Sequence, residues 1–421
     1  MSPETPRGWL PLLRAATGEL HRRLDDGPFV GALRCGDATS RDVATFLWSM
    51  ALLHLAAHRA TLEVEDEGLR ALGVEIGARG REAERDLALF DLHEVDYGAM
   101  RPVARAAEEI LWCSKERPEA LLGALYVLVG SRLGARSLSG LIARYSPEGA
   151  TLRFFEGAQE GLGDEWRRLA AELERRDPAD SEGACRLAEQ VFEALLEGLG
   201  AVNPMAVSPR PTAILINAES GPHAIVAAPR PLVCALIAGI RCWRDFPYLE
   251  ARYGRRGRRF TSSDSAWLAT LAEASPKATL HKIRWLGRLL SLRGLPSRIL
   301  EAHLVCLIEE LEGYGGVDRP SLRALVMAAE SLRRGRARCF HDADVARLEA
   351  SFATTIDPQS PGSWAFEAPG LIVAAIADEC NGIVGALAGL TRWLGDPKLF
   401  GEVWSEAVAG LIDNALDIVR R

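Results

Sequence analysis

Apolar residues recur at helical spacing along most of the chain. From Trp9 the stripe runs Leu10, Leu13, Thr17, Leu20 and Leu24, one face of an amphipathic helix. Thr39 or Ser40 can cap a second helix that continues through RDVATFLWSMALLHLAAHRATLE. The same pattern predicts helices over 78–92, 101–114, 118–142, 165–176 and 181–199. Strand-like alternation is scarce before residue 200. The period breaks at Gly200–Thr212, GAVNPMAVSPRPT, whose three prolines mark the best domain boundary. Beyond it, 213–218 and 224–228 flank the turn-like Ser220-Gly221-Pro222 and read as a small hairpin. From Pro231 the helical pattern returns. The fold class is therefore all-α, with domains at 1–200 and 213–421 joined by a linker at 201–212.

Length agrees with that division, since 421 residues exceed one ordinary core. With 48% hydrophobic and 25% charged residues the composition is that of a globular protein. A net charge of −7 gives no reason to expect a nucleic-acid partner. Eight cysteines are scattered without a C-x-x-C pair, which disfavours zinc ribbons and thioredoxin chemistry. The first residues hold no continuous apolar run of the kind a secretory leader needs, so a cytoplasmic location with reduced thiols is expected. The most membrane-like stretch, 369–393, carries Asp378, Glu379 and Asn381 at its middle and reads as one or two core helices. Nothing in the sequence fixes the oligomeric state, and a homo-oligomer is compatible with it.

Two features suggest chemistry. His21 falls on the stripe of the first helix, between Thr17 and Leu24. A neutral imidazole there can bind iron through one nitrogen while the other is held by a partner; it can also be an ordinary core histidine. Second, LGALYVLVGSRLGARSLS places Gly123, Gly130 and Gly134 inside an otherwise good helix. Each glycine costs about 1 kcal/mol against alanine there. Backbone lying against a flat ligand would justify them, and so would close packing on another helix.

LRAATGELHRRLDD, with Thr17, His21 and Asp25, resembles the proximal helix of heme oxygenases. FLWSMALLHLAAHRATLE is similar to their second helix, and GALYVLVGSRLGAR to their glycine-bearing distal helix. The Gly130-Ser131 form is closest to the bacterial enzymes encoded with bacteriophytochromes. The resemblance covers about the first 200 residues, in order. It implies heme b, as both substrate and cofactor, held between the two helices. His21 would be the proximal iron ligand, with Thr17 beside it and Gly130, Ser131 and Gly134 over the distal face. It further implies cleavage to biliverdin, carbon monoxide and ferrous iron. Electrons would come from a ferredoxin, a flavodoxin or a reductase, because the chain has no nucleotide or flavin fingerprint. Arg14, Arg22, Tyr126 and Arg186 are candidates to meet the heme propionates. Ala135 stands where the family has a second glycine, and Arg132 where many relatives have a small polar residue, which puts turnover in doubt more than heme binding.

Two alternatives remain open from the sequence. One is a non-catalytic heme- or bilin-binding sensor. The other is a non-heme di-iron oxidase on the same scaffold, using His54, His58, Glu63 and Glu108. In the second half, Arg252, Arg255, Arg256, Arg258 and Arg259 surround two glycines. They read as a basic loop leading into a helix capped by Thr261, Ser262 or Ser263, and as a docking patch for an acidic donor or a phosphate.

Overall fold

The computed structural model describes residues 8–156, 162–200, 210–356 and 362–421. The protein is all-α. Among the described residues the only β feature is one isolated antiparallel bridge, Thr212 to Ala224. The hairpin expected at 213–228 is therefore reduced to that bridge, because Ala213–Leu215 turns into a short 3-10 helix instead of extending. Two compact units are present, Met1–Leu236 and Ile237–Arg421.

The first unit contains α1 (Trp9–Asp25), α2 (Pro28–Cys35), α3 (Ser40–Leu62), α4 (Glu67–Leu87), α5 (Arg101–Glu116), α6 (Leu121–Ile142), α7 (Arg153–Glu156), α8 (Leu162–Glu174) and α9 (Ser181–Gly200). It also holds the start of α10 (Pro229–Asp245), within which the division falls. Helix α3 is the central element: Val43 to Ala57 is almost wholly buried, and it packs on α4, α5, α6 and α9. Its start is fixed by a capping box, in which Asp42 accepts the Thr39 amide at 2.7 Å and Thr39 accepts the Asp42 amide at 3.3 Å.

Helix α4 starts eleven residues earlier than the pattern predicts. Gly73, Gly77 and Gly80 all face α3. There the side chains of Thr61, His58 and Leu55 occupy the space their missing Cβ atoms would take. Asp86, near the end of α4, is 2% exposed and accepts the amides of Arg153 and Phe154 at 3.0 and 2.7 Å. It thereby starts α7 from across the core. Burial lifts its carboxyl to about 6, with Glu82 adding to the effect and the two amide bonds opposing it.

The second unit continues α10 and adds α11 (Pro247–Ala269), α12 (Pro276–Ser291), α13 (Ser297–Gly313), α14 (Arg323–Ala337) and α15 (Asp342–Ala353). It ends with α16 (Ala368–Cys380), α17 (Ala386–Leu394), α18 (Pro397–Phe400) and α19 (Glu402–Arg420). The arginine-rich stretch is not a loop before a helix. It lies inside α11, which kinks at Gly254 (φ 51°, ψ −154°) and goes on, so Ser262 and Ser263 are buried within the helix and cap nothing. Helix α16 is the core of this unit and packs on α13, α14, α15, α17 and α19. The apolar stretch 369–393 is thus two core helices, α16 and α17. Among the described residues no helix is long and apolar enough to cross a membrane.

Candidate functional site

Helix α1 buries Trp9, Leu13 and Thr17 against its neighbours. The Trp9 indole donates to the Asp177 carbonyl at 2.7 Å and anchors the start of the helix. The Thr17 hydroxyl bonds back to the Leu13 carbonyl at 2.7 Å. One turn on, the stripe runs out. The His21 side chain is 55% exposed, more open than its place on the apolar stripe suggests. Two contacts set its orientation. Nδ1 lies 3.1 Å from an oxygen of Asp25, one turn later, and the ring meets Phe192 of α9 edge-on at 5.8 Å. Nε2 has no hydrogen-bond partner among the described residues.

Helices α1 and α6 are not a packed pair. Each packs on α9 and each packs on α8, so those two helices are the shared walls between them. Along α6 the three glycines divide by role. Gly123 leaves no room for a side chain, because a Cβ there would overlap the Ala184 carbonyl of α9. That is close helix packing. Gly130 and Gly134 do not pack in this way. Among the described residues, a Cβ on Gly130 would come no nearer than 3.9 Å to Trp166, and one on Gly134 would meet nothing within 4 Å. Tyr126, half-buried, tilts against Trp166 with ring centres 5.9 Å apart. The Ser131 hydroxyl bonds to the Leu128 carbonyl at 2.7 Å. Ala135 and Arg132 belong to α6, but their side chains lie outside the described residues.

The cationic candidates are on the surface. Arg14 is exposed and has no ion pair among the described residues. Arg22 pairs with Glu19, and Arg186 with Glu182 at 3.3 Å, both in the open. Such exposed pairs are worth about 0–1 kcal/mol and give way readily to a stronger anion.

The residues named for a di-iron centre do not converge. His54 is buried with Nδ1 2.7 Å from the Met50 carbonyl and its ring against Phe154. His58 turns toward Gly77 of α4, and burial among Arg81, Arg230 and Arg59 lowers it to about 4. Glu63 pairs with Arg59 at 2.6 Å and with Lys115 at 3.5 Å. Among the described residues no group of three or more His, Cys, Asp or Glu side chains is placed to hold a metal ion.

Sequence reasoning gave Phe192 and Trp166 no role, since their contacts with His21 and Tyr126 join distant parts of the chain. The Asp25 partnership was signalled by the i, i+4 spacing. In the second unit a cleft of about 520 Å³ was also unforeseen; Arg241, Arg298, Arg336, Cys306 and Glu367 are among its lining residues. No known protein family, no curated protein and no solved structure matches this chain.

Proposed function

We propose that the first unit binds heme between α1 and α6, with His21 as the iron ligand, and cleaves it oxidatively. The observation that carries this reading is the His21–Asp25 contact. A carboxylate on Nδ1 fixes the imidazole tautomer and orientation, raises its basicity and leaves Nε2 for a metal. This imidazole is also reachable from outside, as a ligand for an exchangeable group must be.

The missing side chains at Gly130 and Gly134 suit a flat group that needs close approach to a helix. Tyr126 and Trp166 would bound it on one side. Arg14, Arg22 and Arg186, exposed on α1 and α9, would be the cations available to the propionates. Heme bound here would supply the iron at which oxygen is activated and would itself be consumed, giving biliverdin, carbon monoxide and ferrous iron. The chain's own contribution is narrower. It would ligate through His21, with Asp25 holding that ring, and would leave room for the group beside Gly130 and Gly134. Electrons would come from a separate donor such as a ferredoxin, a flavodoxin or a reductase.

Hemin titration of the whole protein, followed by a ferredoxin system, tests the reading. A Soret band that decays while red biliverdin absorbance grows supports it. His21→Ala should abolish or shift the band, and Asp25→Asn should weaken it. An unchanged spectrum in His21→Ala would remove the ligand assignment. A stable Soret band under reduction would leave heme binding and refute cleavage.

A further inference from the structure

The ends of α14 and α16 meet at one backbone carbonyl in the second unit. Asn381, just past α16, donates its side-chain amide to the Gly335 carbonyl at 3.0 Å and to Ala377 at 2.7 Å. Gly335 is buried, and a Cβ there would lie 3.4 Å from that same amide nitrogen, so the helix ends are closely seated. Cys339, one turn on from Gly335, directs its thiol to the same carbonyl at 3.8 Å. Cys380 immediately precedes Asn381. The two cysteines are thereby brought to the same junction of helix ends. Cys380 is exposed and Cys339 partly so.

We propose that Cys339 and Cys380 are a site of reversible oxidation that closes to a disulfide clamping α14 to α16. Two thiols brought to one helix junction, one of them open to solvent, need little movement to bond. The thiol of Cys339 is pushed up to about 11 by burial and by its neighbour, which leaves exposed Cys380 as the entry point for an oxidant.

The chemistry balances with a peroxide. The sulfur of Cys380 attacks one peroxide oxygen; an S–O bond forms, the O–O bond breaks and water leaves. The Cys339 sulfur then attacks Cys380; the S–S bond forms, the S–O bond breaks and a second water leaves. The two thiols lose two protons and two electrons, and the peroxide gains them. Arg336, three residues before Cys339, and Leu371 of α16 both line the 520 Å³ cleft, so the clamp would fix two of its walls to each other.

Cys242 and Cys306 lie near each other as well, but both are buried, and burial raises both thiols. They form an internal control. The test treats the full-length protein with hydrogen peroxide, blocks remaining thiols with N-ethylmaleimide and maps the peptides by mass spectrometry. The expected result is one dominant linked pair, Cys339 with Cys380, lost on adding dithiothreitol, while Cys242 and Cys306 stay alkylatable after unfolding. Cys380→Ser should leave Cys339 as a free thiol. Oxidation of Cys380 to sulfinic acid without the linked peptide would overturn the proposal, as would a dominant pairing through any other cysteine. The wild-type map is decisive even if a variant folds poorly.

Discussion

The imidazole of His58 fills the space that a side chain on Gly77 would need. A Cβ built there would lie 2.5 Å from the ring. The α3–α4 contact thus depends on glycine at this position, flanked by Gly73 against Thr61 and Gly80 against Leu55. Gly77→Ala should destabilise the protein by about 1–3 kcal/mol, the usual range for overpacking. Gly140 provides the contrast. It is exposed on α6 with nothing within 4 Å of a built Cβ, so Gly140→Ala should be neutral or stabilising by up to about 1 kcal/mol. Urea unfolding of the two variants measures the difference, and equal effects would contradict the packing role.

His58 and Asp86 create opposing pH dependences in one core. The unfolded histidine titrates near 6.5 and the folded one near 4. Between those values the unfolded chain holds a proton that the native one lacks, so this group makes stability rise with pH. Asp86 does the reverse. Its carboxyl moves from about 3.8 up to about 6 on folding. The native state keeps a proton that the unfolded state has lost, and stability falls as pH rises through that window. The two slopes offset each other in the wild type. Asp86→Asn removes only the falling one. The stability of this variant relative to wild type should therefore improve as pH rises from about 4 to about 6. Urea midpoints at both ends of the window check this; a constant difference would mean that Asp86 does not titrate there.

Local signals in the sequence translated well and relational ones did not. Thr39 with Asp42 announces the start of α3 because a capping box is made by residues three apart. Asp378 in an apolar run identifies α16 as a core helix, since a carboxylate needs partners that lipid cannot give. The glycines misled. Gly73 and Gly77 precede the start expected at residue 78, yet both lie inside α4 as contact points for α3. Gly254 and Gly257 made α11 look like a loop. The helix continues because Tyr248 and Leu249 before the kink and Ala266 and Leu268 after it are buried, while Gly257 admits the Trp243 ring. The site divides along the same line. Thr17, His21 and Asp25 can be read along one helix face, whereas Phe192 and Trp166 enter only when α8 and α9 are folded beside α1 and α6.

Asp378 also joins three helices. It is 4% exposed, accepts the Ser291 hydroxyl of α12 at 2.6 Å and accepts the Ser297 amide at the start of α13 at 2.9 Å. Asp378→Ala would orphan a buried amide and a buried hydroxyl while losing two hydrogen bonds. Each unsatisfied group costs about 1–3 kcal/mol, so a total near 3 kcal/mol is expected. Asp378→Asn keeps an acceptor oxygen and should lose less than half as much. Chemical denaturation of both variants measures the gap, and a mild alanine variant would show that the junction is held by packing alone.

Arg252 was grouped with the other arginines of α11 as part of a docking surface, but its surroundings set it apart. One guanidinium nitrogen donates to the Gly389 carbonyl at 3.0 Å, and another bonds to the Tyr248 hydroxyl, which in turn donates to the Gly294 carbonyl at 2.6 Å. The cation lies 5.2–5.8 Å from the ring centres of Tyr253, Trp393 and Tyr248. Lysine can keep the charge but cannot reproduce this forked, stacked geometry. With a desolvated cation–π contact worth up to about 2 kcal/mol, Arg252→Lys should cost about 2 kcal/mol. Arg255 and Arg259 are exposed, and alanine at either should shift stability by no more than about 0.5 kcal/mol. Guanidinium unfolding separates the two classes. If Arg252→Lys proves as stable as Arg255→Ala, the guanidinium is not a structural pin and belongs with its solvent-facing neighbours.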